Sequence, residues 1–117
     1  MFADPQVVTI NTVANSMPRV MTGNLTSSYS LADRTLQLNI SSQITNAGRV
    51  RHTVELVKKK VAADPVTAIN DTVQTTYRFI IDREGYGFTV TDVQNDVAGL
   101  VAWLSSANVA KLYGTES

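Results

Sequence analysis

From Leu36 onward, apolar and polar side chains alternate: Leu36, Leu38 and Ile40 oppose Gln37, Asn39, Ser41 and Gln43. A period of two makes a strand with one face on a core and the other turned to water. Asn46-Ala47-Gly48 follows as a hairpin connection with its glycine in place. The alternation then resumes over residues 49–61. Val50, His52, Val54 and Leu56 take one face, and Arg49, Arg51, Thr53, Glu55 and Lys59 take the other. Ala62-Ala63-Asp64-Pro65 stops that strand, and residues 62–71 form a connection long for a simple hairpin. A third alternating run fills residues 72–82, with Val73, Thr75, Tyr77, Phe79 and Ile81 opposing Gln74, Thr76, Arg78 and Ile80.

Ahead of this sheet, residues 6–13 are rich in β-branched side chains and predict a strand. The cluster Asn15-Ser16-Met17-Pro18 predicts a turn, with residues 19–22 returning to complete a hairpin. Residues 26–31 form a weaker, polar strand before a turn at Ala32-Asp33-Arg34. After Gly85-Tyr86-Gly87 the period changes. Apolar residues at 93, 97, 100, 101 and 104 have helical spacing. Thr91 with Gln94 fits a capping box, and Asp92 and Asp96 suit the positive end of the helix dipole. Ser105-Ser106 interrupts the helix, and residues 107–113 make a second one that stops at Gly114. Strands first and helices last give an α+β class: an N-terminal β-hairpin (6–22), an antiparallel β-sheet (26–82) and two C-terminal helices (91–113) in a single domain, 1–117.

This order creates a covering problem. Three long strands each carry an apolar face, yet the chain offers only a hairpin and a helix of about four turns to cover them. The sheet also has edges that pair with whatever is available. A symmetric dimer joining two sheets edge to edge, its helices laid over the partner, solves both problems. A compact monomer that uses its own helix is the simpler alternative. Trp103 falls beside the main helical stripe, where it either widens that stripe or fills a subunit contact.

Composition narrows the chemistry. The 117 residues carry ten Lys+Arg and ten Asp+Glu, so neither a polycation nor an acidic solvating protein describes the whole. With 44% hydrophobic and 17% charged residues the chain is ordinary for a folded domain. Zero cysteines exclude disulfides, thiolate metal sites and a cysteine nucleophile. Residues 1–5 lack the basic and apolar regions of a signal peptide, and no apolar run reaches the roughly 18 residues of a membrane helix, so a soluble product is expected. The single histidine, His52, lies on the apolar face as a core imidazole rather than a base or ligand. No nucleophile–base–orienter set can be assembled, and neither an enzyme, a cofactor, a metal nor a small-molecule substrate is expected.

Charge is nonetheless local. Arg49, Arg51, Lys58, Lys59 and Lys60 crowd one segment against the single acid Glu55. Beside them stand Gln37, Asn39, Ser41 and Gln43, and Gln74, Thr76 and Arg78. Cationic groups contact phosphate while amides and hydroxyls read base edges, so this face is a candidate for RNA. A solvated face of alternating charges is the plainer account of the same residues.

The chain resembles the coat proteins of single-stranded RNA bacteriophages, the leviviruses. The resemblance rests on the order of elements, on residues 46–56 (NAGRVRHTVEL) with Ala63-Asp64-Pro65-Val66-Thr67 behind them, and on Tyr77-Arg78-Phe79 leading into the helix at 92–104. It implies the RNA bacteriophage capsid protein fold: an interlocked homodimer with one continuous sheet, assembling into an icosahedral shell in the bacterial host cytoplasm and residing in the virion. The inward sheet face would bind a genomic RNA stem-loop, with repression of replicase translation. By position that face comprises Gln37, Asn39, Ser41, Gln43, Arg49, Arg51, Thr53, Glu55, Gln74, Thr76 and Arg78, with Lys58, Lys59 and Lys60 adding phosphate contacts. Residues 62–71 match the family's variable loop and would make subunit contacts. Two departures stand out. Some members stack a base on a tyrosine of the last strand, whereas Tyr77 here falls on the apolar face and Gln74 or Thr76 takes the inward position. The cysteines that cross-link some shells are absent. A dimeric RNA-binding regulator that never assembles is the alternative.

Overall fold

A computed structural model describes residues 2–45 and 48–115. The chain divides into two units, 1–83 and 84–117. In the first, β1 (Gln6–Ile10) and β2 (Val13–Met17) form a two-stranded antiparallel hairpin. A second sheet has the order β3 (Arg19–Gly23), β4 (Thr26–Ser30), β5 (Leu36–Ile44), β6 (Arg49–Ala63), β7 (Asn70–Glu84). The strands therefore follow one another across the sheet, as short connections favour.

The N-terminal hairpin differs from its sequence expectation. Its turn is Asn11-Thr12, both at positive φ (49° and 64°), rather than residues 15–18. A two-residue loop needs that left-handed backbone to match the twist of its strands. Asn tolerates the conformation, but β-branched Thr rarely adopts it, so nothing in the sequence marked the position. Pro18 then separates β2 from β3, which belongs to the other sheet.

Met17 and Tyr29 are fully buried, and with Leu36 and Leu38 they form the core; Val8, Ile10, Leu31, Ile40 and Leu56 pack around it. The hairpin thus lies on the apolar side of β4–β6 that the alternation predicted. Each such large side chain contributes about 1.5–3 kcal/mol on burial. The register shifts at Val20 between the pairs Arg19↔Tyr29 and Met21↔Ser28. The Arg19 guanidinium lies 5.4 Å from the centre of the Tyr29 ring, donating Nε–H and Nη2–H to the Tyr29 hydroxyl at 3.3 and 3.1 Å.

β6 and β7 each run 15 residues, so the connection shortens to residues 64–69. Asp64 organises it: its Oδ1 accepts from the amides of Val66 and Thr67, and its own amide donates to the Ile69 carbonyl at 2.9 Å. Asn46-Ala47 of the expected β5–β6 connection lies outside the described residues. Gly48 closes that connection at φ +77°.

The second unit holds α1 (Val90–Trp103) and α2 (Ser106–Tyr113). The cap of α1 is Thr89, not Thr91. Its hydroxyl accepts from the Asp92 amide while the Asp92 carboxylate accepts from the Thr89 amide, both at 3.2 Å. Two overlapping Thr-x-x pairs fit the capping pattern, and the short carboxylate of Asp92 fills the role expected of Gln94. Ser105, one of the predicted interrupters, caps α2 through the Asn108 amide. Neither helix contains a buried residue.

Candidate nucleic-acid interface

The pairing of β5 with β6 decides which side chains share a face. Asn39 opposes Glu55, Ser41 opposes Thr53 and Gln43 opposes Arg51, while Leu38 opposes Leu56 and Ile40 opposes Val54. The polar stripe is therefore continuous across both strands, because residues opposite one another in an antiparallel pair point the same way. β4 widens it. Thr26 pairs with Ser41 and Ser28 with Asn39, which adds two hydroxyl side chains to the predicted set. Residues 26–31 were too polar to show a period, but the register of their neighbour assigns them.

β7 joins through side-chain bonds. Arg78 donates Nε–H and Nη2–H to Glu55 Oε2 at 3.0 and 2.6 Å, and Asn39 approaches Glu55 Oε1 at 3.4 Å. Four residues on, Asp82 takes Arg49 Nε–H on Oδ1 and Arg51 Nη2–H on Oδ2, each at 3.2 Å. The spacing of four on both strands, 51 to 55 and 78 to 82, leaves no bulge between these contacts. Alternation then puts Gln74 and Thr76, whose side chains meet at 3.5 Å, on the same face, and Tyr77 on the other.

Two sequence expectations change. The last strand runs two residues past its expected end at Asp82, so Arg83 and Glu84 also belong to β7. The basic run also splits. Lys58 opposes Leu36 on the apolar side, and a cleft of about 250 Å³ beside Ile10, Asn11 and Val13 of the hairpin is bordered by both Lys58 and Lys59. Lys59 alternates to the polar side and Lys60 follows Lys58. The strand period separates three adjacent cations that composition alone groups together.

The acids on this face are held ionised. Hydrogen bonds from Arg51 and then Arg49 keep the Asp82 carboxyl below its usual range. The Arg78 hydrogen bond does the same for Glu55, with a smaller contribution from Asn39. The arginine side chains remain about half exposed, at 44%, 51% and 56% for Arg49, Arg51 and Arg78. On the opposite side, His52 is satisfied: its Nδ1 meets Ser42 Oγ at 2.9 Å and its Nε2 accepts from Arg83 Nε–H at 3.2 Å. Among the described residues no group of three or more His, Asp or Glu is placed to hold a metal ion, and no helix is long and apolar enough to cross a membrane.

The fold is shared with phage shells. The virus-like particle of bacteriophage AVE019 matches at TM-score 0.80 and 12% identity, covering 95% of this chain and 93% of that one. The particle of Beihai levi-like virus 21 matches at 0.68 and 13%, over 100% and 98% of the two chains. The capsid protein of bacteriophage GA matches at 0.62 and 11%, over 92% and 88%. No curated protein sequence matches the chain. The sequence profile of the phage phiCb5 coat protein matches residues 3–82, which takes in the hairpin, nearly all of the sheet and the whole polar face. The chain belongs to the phiCb5 coat-protein family and is a structural protein of a phage capsid.

Proposed function

We propose that this coat protein assembles from symmetric dimers joined edge to edge at β7, and that the polar face of β4–β7 lines the shell and binds genomic RNA. The uncovered state of β7 carries the dimer. It is a 15-residue edge strand whose residues 70–78 are all exposed, including apolar Val73 and Tyr77. A long open edge with an apolar face invites a second sheet. The helices make the same demand, since Val90, Leu100, Val101, Trp103, Leu104, Val109 and Leu112 are all exposed. One chain's helices over its partner's sheet would bury both sets.

The amide and hydroxyl groups at the centre of the polar face, flanked by Arg49, Arg51, Lys59 and Arg78, support RNA as the ligand. An operator stem-loop whose binding represses translation is the form that the family resemblance suggests, with assembly in the host cytoplasm. The connection at 64–69 contributes contacts between dimers; Val66 and Ile69 are 90% and 68% exposed there.

Size-exclusion chromatography of the recombinant protein, with absorbance at two wavelengths and negative-stain microscopy of the leading fraction, tests this reading. Round uniform particles carrying nucleic acid are expected. Particles free of nucleic acid would remove the RNA assignment, and a stable monomer would remove the dimer.

A further inference from the structure

Every arginine on the polar face has a carboxylate partner. Asp82 spreads its two oxygens over Arg49 and Arg51, two positions apart on β6, and Glu55 takes both an Nε–H and an Nη2–H of Arg78. A phosphate group of RNA would offer these guanidinium groups the same thing: two anionic oxygens held against paired N–H donors. We infer, resting on RNA as the proposed ligand of this face, that Asp82 is a specificity-determining residue. It occupies the phosphate position between Arg49 and Arg51, so that the face selects RNA offering base contacts and rejects RNA offering only phosphates.

Competition is the physical basis. Sequence-independent RNA binding is driven by phosphate neutralisation and counterion release, and its strength scales with the number of cations available. A carboxylate tethered at 3.2 Å to each of two arginines is always present at high local concentration and must be displaced before a phosphate can bind. What remains at the centre of the face is uncharged: Asn39, Ser41, Gln43 and Thr53. These groups reward unstacked bases that present their edges. The zero formal charge of the whole chain fits the same logic, because the chain carries no net positive charge to attract polyanions in general. Glu55 acts likewise on Arg78, for one arginine rather than two.

The test is filter binding of the full chain to a short uridine homopolymer, from about 50 to about 200 mM salt. Asp82→Asn keeps the shape and an acceptor but removes the charge. The logarithmic salt slope should steepen, by about 0.7 for each arginine that exchanges the carboxylate for a phosphate. Glu55→Gln should steepen it by about 0.7 and serves as the independent variant if Asp82→Asn fails to fold. Homopolymer binding that appears only in the variants also supports the inference. Binding by the unmodified chain with the slope unchanged in both variants overturns the role of Asp82 while leaving RNA binding intact. No homopolymer binding by any of the three, at any salt, overturns this inference; RNA-free particles in the chromatography experiment would overturn the RNA reading beneath it.

Discussion

The strands β3–β5 and the strand β7 belong to one sheet but live in different surroundings. Around β4 and β5 the hairpin covers the apolar face, and Met17 and Tyr29 have no exposure at all. Along β7 the same kind of apolar face has Val73 at 42% and Tyr77 at 57% exposure. The sequence period is as good in β5 as in β7, so the difference is one of supply: the hairpin covers only part of the sheet. A fold built this way has one part that covers itself and another that, in the proposed dimer, a second chain completes.

The largest expected effect breaks the covered half. Tyr29→Ala should cost about 3–5 kcal/mol, through a core cavity and the loss of the hydroxyl that Arg19 holds. Chemical denaturation should show this loss at every protein concentration. Leu100→Asp attacks the uncovered half instead. It places a charge where the partner sheet is proposed to pack, at a cost on the order of several kcal/mol to assembly. Sedimentation should show the dimer gone while the hairpin-covered strands keep their circular dichroism signal; a stable dimer would sever the helix from the interface. Removing residues 65–68 acts between dimers only. It should leave the dimer intact and change or abolish particles under the microscope.

A smaller effect is set by pH. Asp82 and Glu55 are both held below their ordinary carboxyl values of 3.8 and 4.5 by their arginines. Their contribution is therefore complete above the unfolded values and fades as pH falls through the lower folded ones. Through these pairs the thermal midpoint should not vary with pH near neutrality and should fall below about pH 4 as their contribution is lost, with a weaker acid drop in Glu55→Gln. Smallest of all, Gly99→Ala should stabilise α1 by about 0.5–1 kcal/mol, since an added Cβ at this position meets nothing within 4 Å of the chain.

Legibility followed the same divide between local pattern and long-range pairing. The faces of residues 36–44 and 49–57 were readable because a period of two admits only one assignment once a core exists. His52 was placed on the correct side by that rule alone. Thr12 concealed the hairpin turn because its backbone conformation contradicts its side chain. Asp82 was hidden for another reason: its partners Arg49 and Arg51 lie on a different strand, and nothing near 82 in the sequence announces that pairing. The role of Thr26 and Ser28 likewise came from their partners on β5, since their own neighbours are nearly all polar.

The absence of buried residues from α1 and α2 has a consequence for mass action. Isolated helices of 14 and 8 residues are marginal in water, even with the caps that Thr89 and Ser105 provide. In the proposed dimer their order is linked to association, and association depends on concentration. Below the dissociation constant of the dimer the C-terminal segment should fray, and above it the helices should form together with the interface. Helix content would thus report how much coat protein a cell has made, and shell building would begin only once that dose is reached.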